Sequence, residues 1–355
     1  MRLKEDWEAA RARIEAWWAG EVIDRALVQV TAPRPGERRL RPPASLQQQW
    51  LDPEYVVAAA EEAMRLTYYG GEALPIFWPN LGPDVFAAYL GCDLQFGETT
   101  SWSVPALDDW RDLASLRFDP ANRWWQATLR LLEAAGERLA GDCLFGLTDL
   151  HGGGDAVAAL RGPQTLALDL VDHPDEVRAA MAAVERAWFQ VYEGLLEVTR
   201  RYSPGTTTWL GMWSPGRWYP VSCDFISLVS TAMFREFFLP ELLAEIDYLD
   251  HSLFHLDGPG AVRHLDTLLE VEKLGGIQWV PGPMPRSMLP WLPMLKRIQA
   301  AGKRLHITVV PEEVEPLLHE LAPEGLCLET RVGSPEEAED LLRLATRLAP
   351  RRARA

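Results

Sequence analysis

A histidine and a carboxylate two residues apart, His255 and Asp257, close the run Ser252-Leu253-Phe254-His255-Leu256-Asp257-Gly258-Pro259-Gly260. On a strand the two side chains share one face, roughly 7 Å apart along the chain, while Phe254 and Leu256 point the other way. An imidazole and a carboxylate leaving a strand end together can ligate a metal ion or pass a proton. The plainer alternative is a buried histidine paired with an acid that caps the next helix. The same spacing recurs at Asp149 and His151, just before Gly152-Gly153-Gly154, and it puts Cys327, Glu329 and Arg331 on one face of the last strand.

The elements that must position these residues alternate. Strands are expected over 26–32, 73–78, 143–149, 206–212, 252–257, 276–280, 304–310 and 325–330. Helices are expected between them, with the cleanest rhythm after residue 250. An amphipathic helix over 3–20, carrying Trp7, Ile14, Trp17 and Trp18, precedes the first strand. Asp52-Pro53 marks a helix start, and 156–201 reads as mostly helical. Strands separated by helices of ten or more residues pair in parallel. Eight such units predict a single (β/α)₈ barrel (a TIM barrel) over 1–355, with 1–50 as a helical and loop extension. An open doubly wound sheet is the rival, but no Gly-x-Gly-x-x-Gly follows an early strand.

In such a barrel the chemistry gathers at the C-terminal strand ends. Those ends bring together Trp78, Asp149, His151, Trp213, His255, Asp257, Gln278, Trp279, Glu329 and Arg331, with Asp224 in a neighbouring loop. Other roles are open to each: loop amide partners for Asp149, rim packing for Gln278 and Trp279, an internal ion pair for Glu329 and Arg331. His306 lies early in its strand and reads as a satisfied interior histidine. Fifteen tryptophans, several in rim loops such as Trp102, Trp213, Trp218 and Trp291, suit a ring-shaped or aromatic small-molecule substrate.

Composition narrows the classes. The 355 residues carry a formal net charge of −16, which argues against a nucleic-acid partner. No run approaches eighteen apolar residues, so no membrane span is expected, and the charged N-terminus has no export-signal core. A cytoplasmic location follows by default. The four cysteines, Cys92, Cys143, Cys223 and Cys327, are too scattered for a zinc knuckle or a disulfide framework.

Several runs bear a family likeness. Asp149 to Asp155 through Leu160-Arg161-Gly162, Leu170 to Val177, and Asp224-Phe225-Ile226-Ser227 through Phe234 to Pro240 resemble the uroporphyrinogen decarboxylase superfamily. So do His255-Leu256-Asp257-Gly258 and Gly333 to Ala338, and the resemblance covers roughly 140–345. It implies a (β/α)₈ barrel and a choice among cofactor-free decarboxylases, corrinoid-dependent methyltransferases and relatives of cobalamin-independent methionine synthase. The methyltransferase branches hold zinc on a His-x-Cys pair plus a late ligand, and so activate a thiol. Here His255 falls on the histidine and Asp257 stands in the cysteine's place. Glu329 is the late-strand candidate, with Cys327 nearby. Carboxylate for thiolate hardens the site and weakens its preference for zinc. The decarboxylase clamp Arg-Gln-Ala-Gly-Arg is missing; the arginines at 34, 38, 39 and 41 are a loose substitute.

The expectation is therefore metal-assisted methyl transfer, linked to a thiol or a corrinoid. His255, Asp257 and Glu329 would hold a divalent metal, zinc foremost. Asp149, His151 and Asp224 would act as catalytic groups, and Trp78, Trp213, Gln278, Trp279 and Arg331 would contact substrate. A corrinoid protein and a second copy of the chain are the candidate partners. The rivals are a metal-free acid–base lyase (a decarboxylase), a glycoside-cleaving enzyme, and a non-catalytic ligand-binding barrel.

Overall fold

The computed structural model describes residues 1–283 and 287–349. Its strands begin with β1 (Leu27–Pro33), β2 (Thr67–Gly71), β3 (Ile76–Phe77), β4 (Asp93–Phe96), β5 (Ser101–Val104) and β6 (Leu144–Leu147). They continue with β7 (Thr206–Thr208), β8 (Trp213–Ser214), β9 (Trp218–Ser222), β10 (His251–Asp257), β11 (Gly276–Val280), β12 (Arg304–Thr308) and β13 (Leu326–Arg331). Seven form one sheet in the order β2-β1-β13-β12-β11-β10-β9, and four form another, β3-β6-β7-β8. Pairing is parallel throughout both, except where β2 runs back along β1 and β8 along β7. The result is a mixed α/β fold built on parallel sheet. Among the described residues no ladder joins the two sheets into one ring.

The alternation over the last third follows the expected rhythm closely. β11 keeps the bounds expected for it, and Ser334 starts the helix Pro335–Leu348 by accepting from the Glu337 amide. Elsewhere tertiary pairing adds what periodicity does not reveal. Residues 67–71 form β2 against β1, and 93–104 form the hairpin β4–β5. The helical stretch expected over 156–201 is three helices, Gly153–Arg161, Pro163–Asp172 and Pro174–Thr199. Proline without an amide proton starts each of the last two.

Strand alternation separates two cores. Phe254, Leu256, Ile277, Trp279, Leu305, Ile307 and Leu328 face the covering helices. On the opposite side, one apolar cluster draws Leu27, Leu253 and Cys327 from the seven-stranded sheet and Leu144 and Trp213 from the other, so the two sheets share an interior. The N-terminal helix Trp7–Trp18 fills one end of it. Trp18 donates its indole proton to the Trp213 carbonyl at 2.8 Å and stacks on His251 at 4.4 Å. Arg304 donates to the carbonyl of Trp17 at 2.8 Å and to that of Trp18. His251 and Arg304 are the first residues of β10 and β12, so the helix closes the N-terminal ends of the strands and leaves the C-terminal ends for chemistry.

Trp17 is 1 % exposed and its indole N–H has no partner, so its contribution is packing. Trp17→Ala is expected to lower stability by about 3–5 kcal/mol, read from urea denaturation. A loss under about 1 kcal/mol would show that the helix does not seal the interior.

Candidate functional site

The site forms where β9 and β10 end. Register pairs His255 with Ser222 of β9 and with Gln278 of β11, so these three side chains share the inner face at one level. His255 Nδ1 hydrogen-bonds Gln278 Oε1, an acceptor, which places the proton on Nδ1 and leaves the Nε2 lone pair free. The Trp209 ring stands at 89° to the imidazole with centroids 5.3 Å apart and fixes its plane. Asp257 ends β10, and Gly258 turns the chain at φ +74°, where a side chain would be strained.

Asp224 lies two residues past Ser222, at the start of the turn Asp224–Leu228. Asp155, in the first turn of helix Gly153–Arg161, accepts the amides of Asp224 and Phe225, each at 2.8 Å, and so fixes where Asp224 emerges. The β6 loop brings in Asp149 and His151, with His151 Nε2 at 3.2 Å from Asp149 Oδ1. Tyr219 pins this loop: its hydroxyl donates to the Thr148 carbonyl at 2.8 Å and accepts the Leu150 amide. The glycines that follow are required by space. A Cβ on Gly153, at φ +42°, would lie 2.1 Å from Oε2 of buried Glu241.

Two three-residue groups result, each with one possible ligand atom per residue and all atoms within 4.8 Å of one another. One is Asp224, His255 and Asp257; the other is His151, Asp155 and Asp224. Asp224 belongs to both, and the two imidazoles lie 6.5 Å apart at 28°. Asp224 Oδ1 is cut off from solvent and has no hydrogen-bond partner. A cleft of about 430 Å³ opens beside it, lined by His151, Asp155, Asp224, Asp84 and Ser103. Ser103 brings the β4–β5 hairpin to this wall.

Charge is unbalanced here. Among the described residues no lysine or arginine forms an ion pair with Asp149, Asp155, Asp224 or Asp257; the basic groups acting on Asp149 are His151, at 3.2 Å, and His255. Burial raises the Asp149 carboxyl above its usual range. It pushes Asp155 up to about 6 with the help of the Asp224 charge, and raises Asp257 in the same way. For His151 burial acts downward, but the carboxylates of Asp149, Asp155 and Asp224 outweigh it and hold the imidazole at about 9.

The other expected site residues disperse. Glu329 receives a 3.1 Å hydrogen bond from Thr308, its carboxyl is raised by burial, and it shares no ligand group with His255. The reason is strand order. β13 lies three strands from β10, about 14 Å around the sheet, whereas Asp224 follows β9, the direct neighbour of β10. Cys327 is fully buried in the apolar interior, and burial pushes its thiol up. Arg331 is exposed and lines a separate cleft of about 700 Å³ with Arg34, Arg38 and Arg41. Trp78 lines another cavity, with Trp50 and Phe77.

Trp213 and Trp279 are corrected to packing residues. Trp213 donates to the Pro204 carbonyl at 2.8 Å and packs edge-on against Trp7. Trp279, adjacent to Gln278, must face the opposite side of the strand, where it meets Trp291. Trp218 is fully buried, and among the expected rim tryptophans Trp102 is exposed, at 48 %. His306 is an interior histidine, bonded to Gln29 at 3.1 Å and lowered to about 4 by burial. Asp155 was not anticipated as a site residue, although its place four residues after His151 on a Gly-started helix was visible. Trp209 carried no sequence signal.

No protein-family model matches the chain, and no curated protein matches it by sequence. Among solved structures, a methyltransferase from Methanosarcina mazei superposes with a TM-score of 0.64 at 15 % identity, covering 95 % of this chain and 98 % of that one. At that identity the likeness is one of fold. Among the described residues no helix is long and apolar enough to cross a membrane.

The His151 charge has a testable consequence. Its folded-state pKa, about 9, lies above the ordinary 6.5, so the stabilisation is complete below pH 6.5 and is lost as pH rises through about 9. In chelator-treated protein, the stability gap between wild type and His151→Gln is expected to be widest near pH 6 and to close by about pH 10, measured by urea denaturation. A gap that grows with pH would contradict the assignment.

Proposed function

We propose that this protein is a metal-assisted methyl-transferring enzyme, with Asp224, His255 and Asp257 as its metal ligands. The observation that carries the reading is the convergence of three ligand atoms within 4.8 Å around an unpartnered, solvent-excluded Asp224 oxygen. A buried carboxylate oxygen without a donor is costly, and a cation is the partner that the surrounding donor set suits. The residues fit a divalent ion. His255 keeps its Nε2 lone pair, and its other ring nitrogen is held by Gln278, the outer support that metal-binding histidines ordinarily have.

One nitrogen and two carboxylates make a harder set than the thiolate site of the resembling methyltransferases, so zinc shares its claim with manganese, iron or cobalt. Such an ion supplies a lowered pKa to a thiol or water it binds. The chain's own groups do the rest. Asp224 and Asp257 offset the positive charge, and Asp155 keeps Asp224 in place through its own backbone amides. Asp149 orients His151, whose proton lies close to the acids and available to a developing negative charge. The cleft over His151 and Asp224 admits the small substrate, and the corrinoid would arrive on a partner protein.

The resemblance in fold to a methyltransferase supports the reaction class, and the common interior, with β7 packed on β9, supports an eight-unit barrel. A metal-free acid–base reading has one observation in its favour. His151, at about 9, is a proton donor at neutral pH, opposite carboxyls raised toward neutrality.

Metal analysis separates the two. Purified wild type is expected to carry a bound divalent metal, and His255→Ala and Asp257→Ala to lose it. Methyl transfer from free methylcobalamin to a simple thiol, followed by corrinoid absorbance, should fall at least about 100-fold in both variants. Asp257→Cys should shift metal preference toward zinc. A metal-free wild type, or His255→Ala with full activity, would overturn the proposal.

A further inference from the structure

Three features of the cleft are left over once a single ion is placed between Asp224, His255 and Asp257. His151 and Asp155 form a second complete ligand group with the same Asp224, on the side that faces the open cleft. Four carboxylates, Asp149, Asp155, Asp224 and Asp257, gather around two neutral-capable imidazoles with no lysine or arginine ion pair among the described residues. Third, Ser222, 2 % exposed, has a hydroxyl without a hydrogen-bond partner, and register places it on the inner face beside His255. A buried hydroxyl left open at this level points to a missing polar occupant rather than to packing.

We infer that the cleft is a two-metal centre in which Asp224 bridges one divalent cation held by His255 and Asp257 and a second held by His151 and Asp155. The inference rests on the metal-binding reading above and adds a second ion to it. Bridging suits Asp224 because it belongs to both ligand groups and its two oxygens can serve different ions. Asp155 already spends one lone pair of each oxygen on an amide at 2.8 Å, and a carboxylate has about four acceptor sites, so ligation remains open to it. Asp149 then supports His151 from behind, in the outer position that a carboxylate takes on a metal-bound histidine. A pair of ions of this kind clamps both the entering and the departing group of a transfer, which a single ion cannot do.

The test is a count. Chelator-stripped full-length protein is titrated with manganese(II) chloride and bound ions are measured by equilibrium dialysis, with electron paramagnetic resonance on the same samples. The expected result is two ions per chain. The second equivalent should weaken the resonance by exchange coupling rather than double it. His151→Ala should bind one ion with the uncoupled signal, while His255→Ala loses the other. Asp224→Asn should weaken both, with unchanged circular dichroism certifying the fold of each variant. One ion in wild type, retained in His151→Ala, would overturn the second site and leave the single-metal reading standing. No bound ion in wild type would overturn both.

Discussion

Uncompensated negative charge is the constraint that the upper half of this molecule is arranged around. Carboxylates from four separate segments, the β6 loop, the first turn of helix Gly153–Arg161, the turn after β9 and the end of β10, converge on one cleft without a lysine or arginine ion pair among the described residues. Elsewhere the chain treats buried acids differently. Glu72, wholly buried, is met by a two-pronged Arg25 at 2.7 and 2.9 Å and by the Val28 amide. Asp169 is paired with Arg161 at 2.7 Å. Glu72 and Asp169 are thus neutralised by arginine, whereas the four acids at the C-terminal strand ends have no such partner and face a cleft that a cation can enter.

The rest of the architecture serves that placement. The N-terminal helix covers the opposite end with Trp17 and Trp18, and Arg304 ties its last carbonyls to the sheet. Tyr219 on β9 holds the loop that bears Asp149 and His151, while Asp155 holds the turn that bears Asp224. The loop bearing Asp149 and His151 and the turn bearing Asp224 are thus each fixed from a neighbouring element, and Gln278 fixes His255, which is what rigid ligand geometry requires.

How much of this could be read from residues alone divides along physical lines. Period-2 alternation and the Gly-Pro-Gly turn disclosed His255 and Asp257 as a pair on one face, and the helix–strand rhythm disclosed β10 to β13. What needed coordinates was sheet order. Parity alone allowed Glu329 to share a mouth with His255, but three intervening strand spacings keep them apart, and Asp224 enters through a short irregular turn with no period to detect. The same distinction explains Trp213 and Trp279. Both sit where a strand end was expected, yet one is turned into the interior by the β7–β8 hairpin and the other faces the covering helices.

The interface between these acids and a cation is the claim on which everything else stands. Anomalous diffraction from crystals of the protein, recorded at the absorption edge of a metal soaked into them, tests it most directly. The account predicts a peak within ligating distance of Asp224, His255 and Asp257, surrounded by nitrogen and oxygen at about 2.0–2.2 Å. A peak on cysteine sulfur, or no peak in this cleft with the carboxylates instead protonated and bonded to one another, would contradict it.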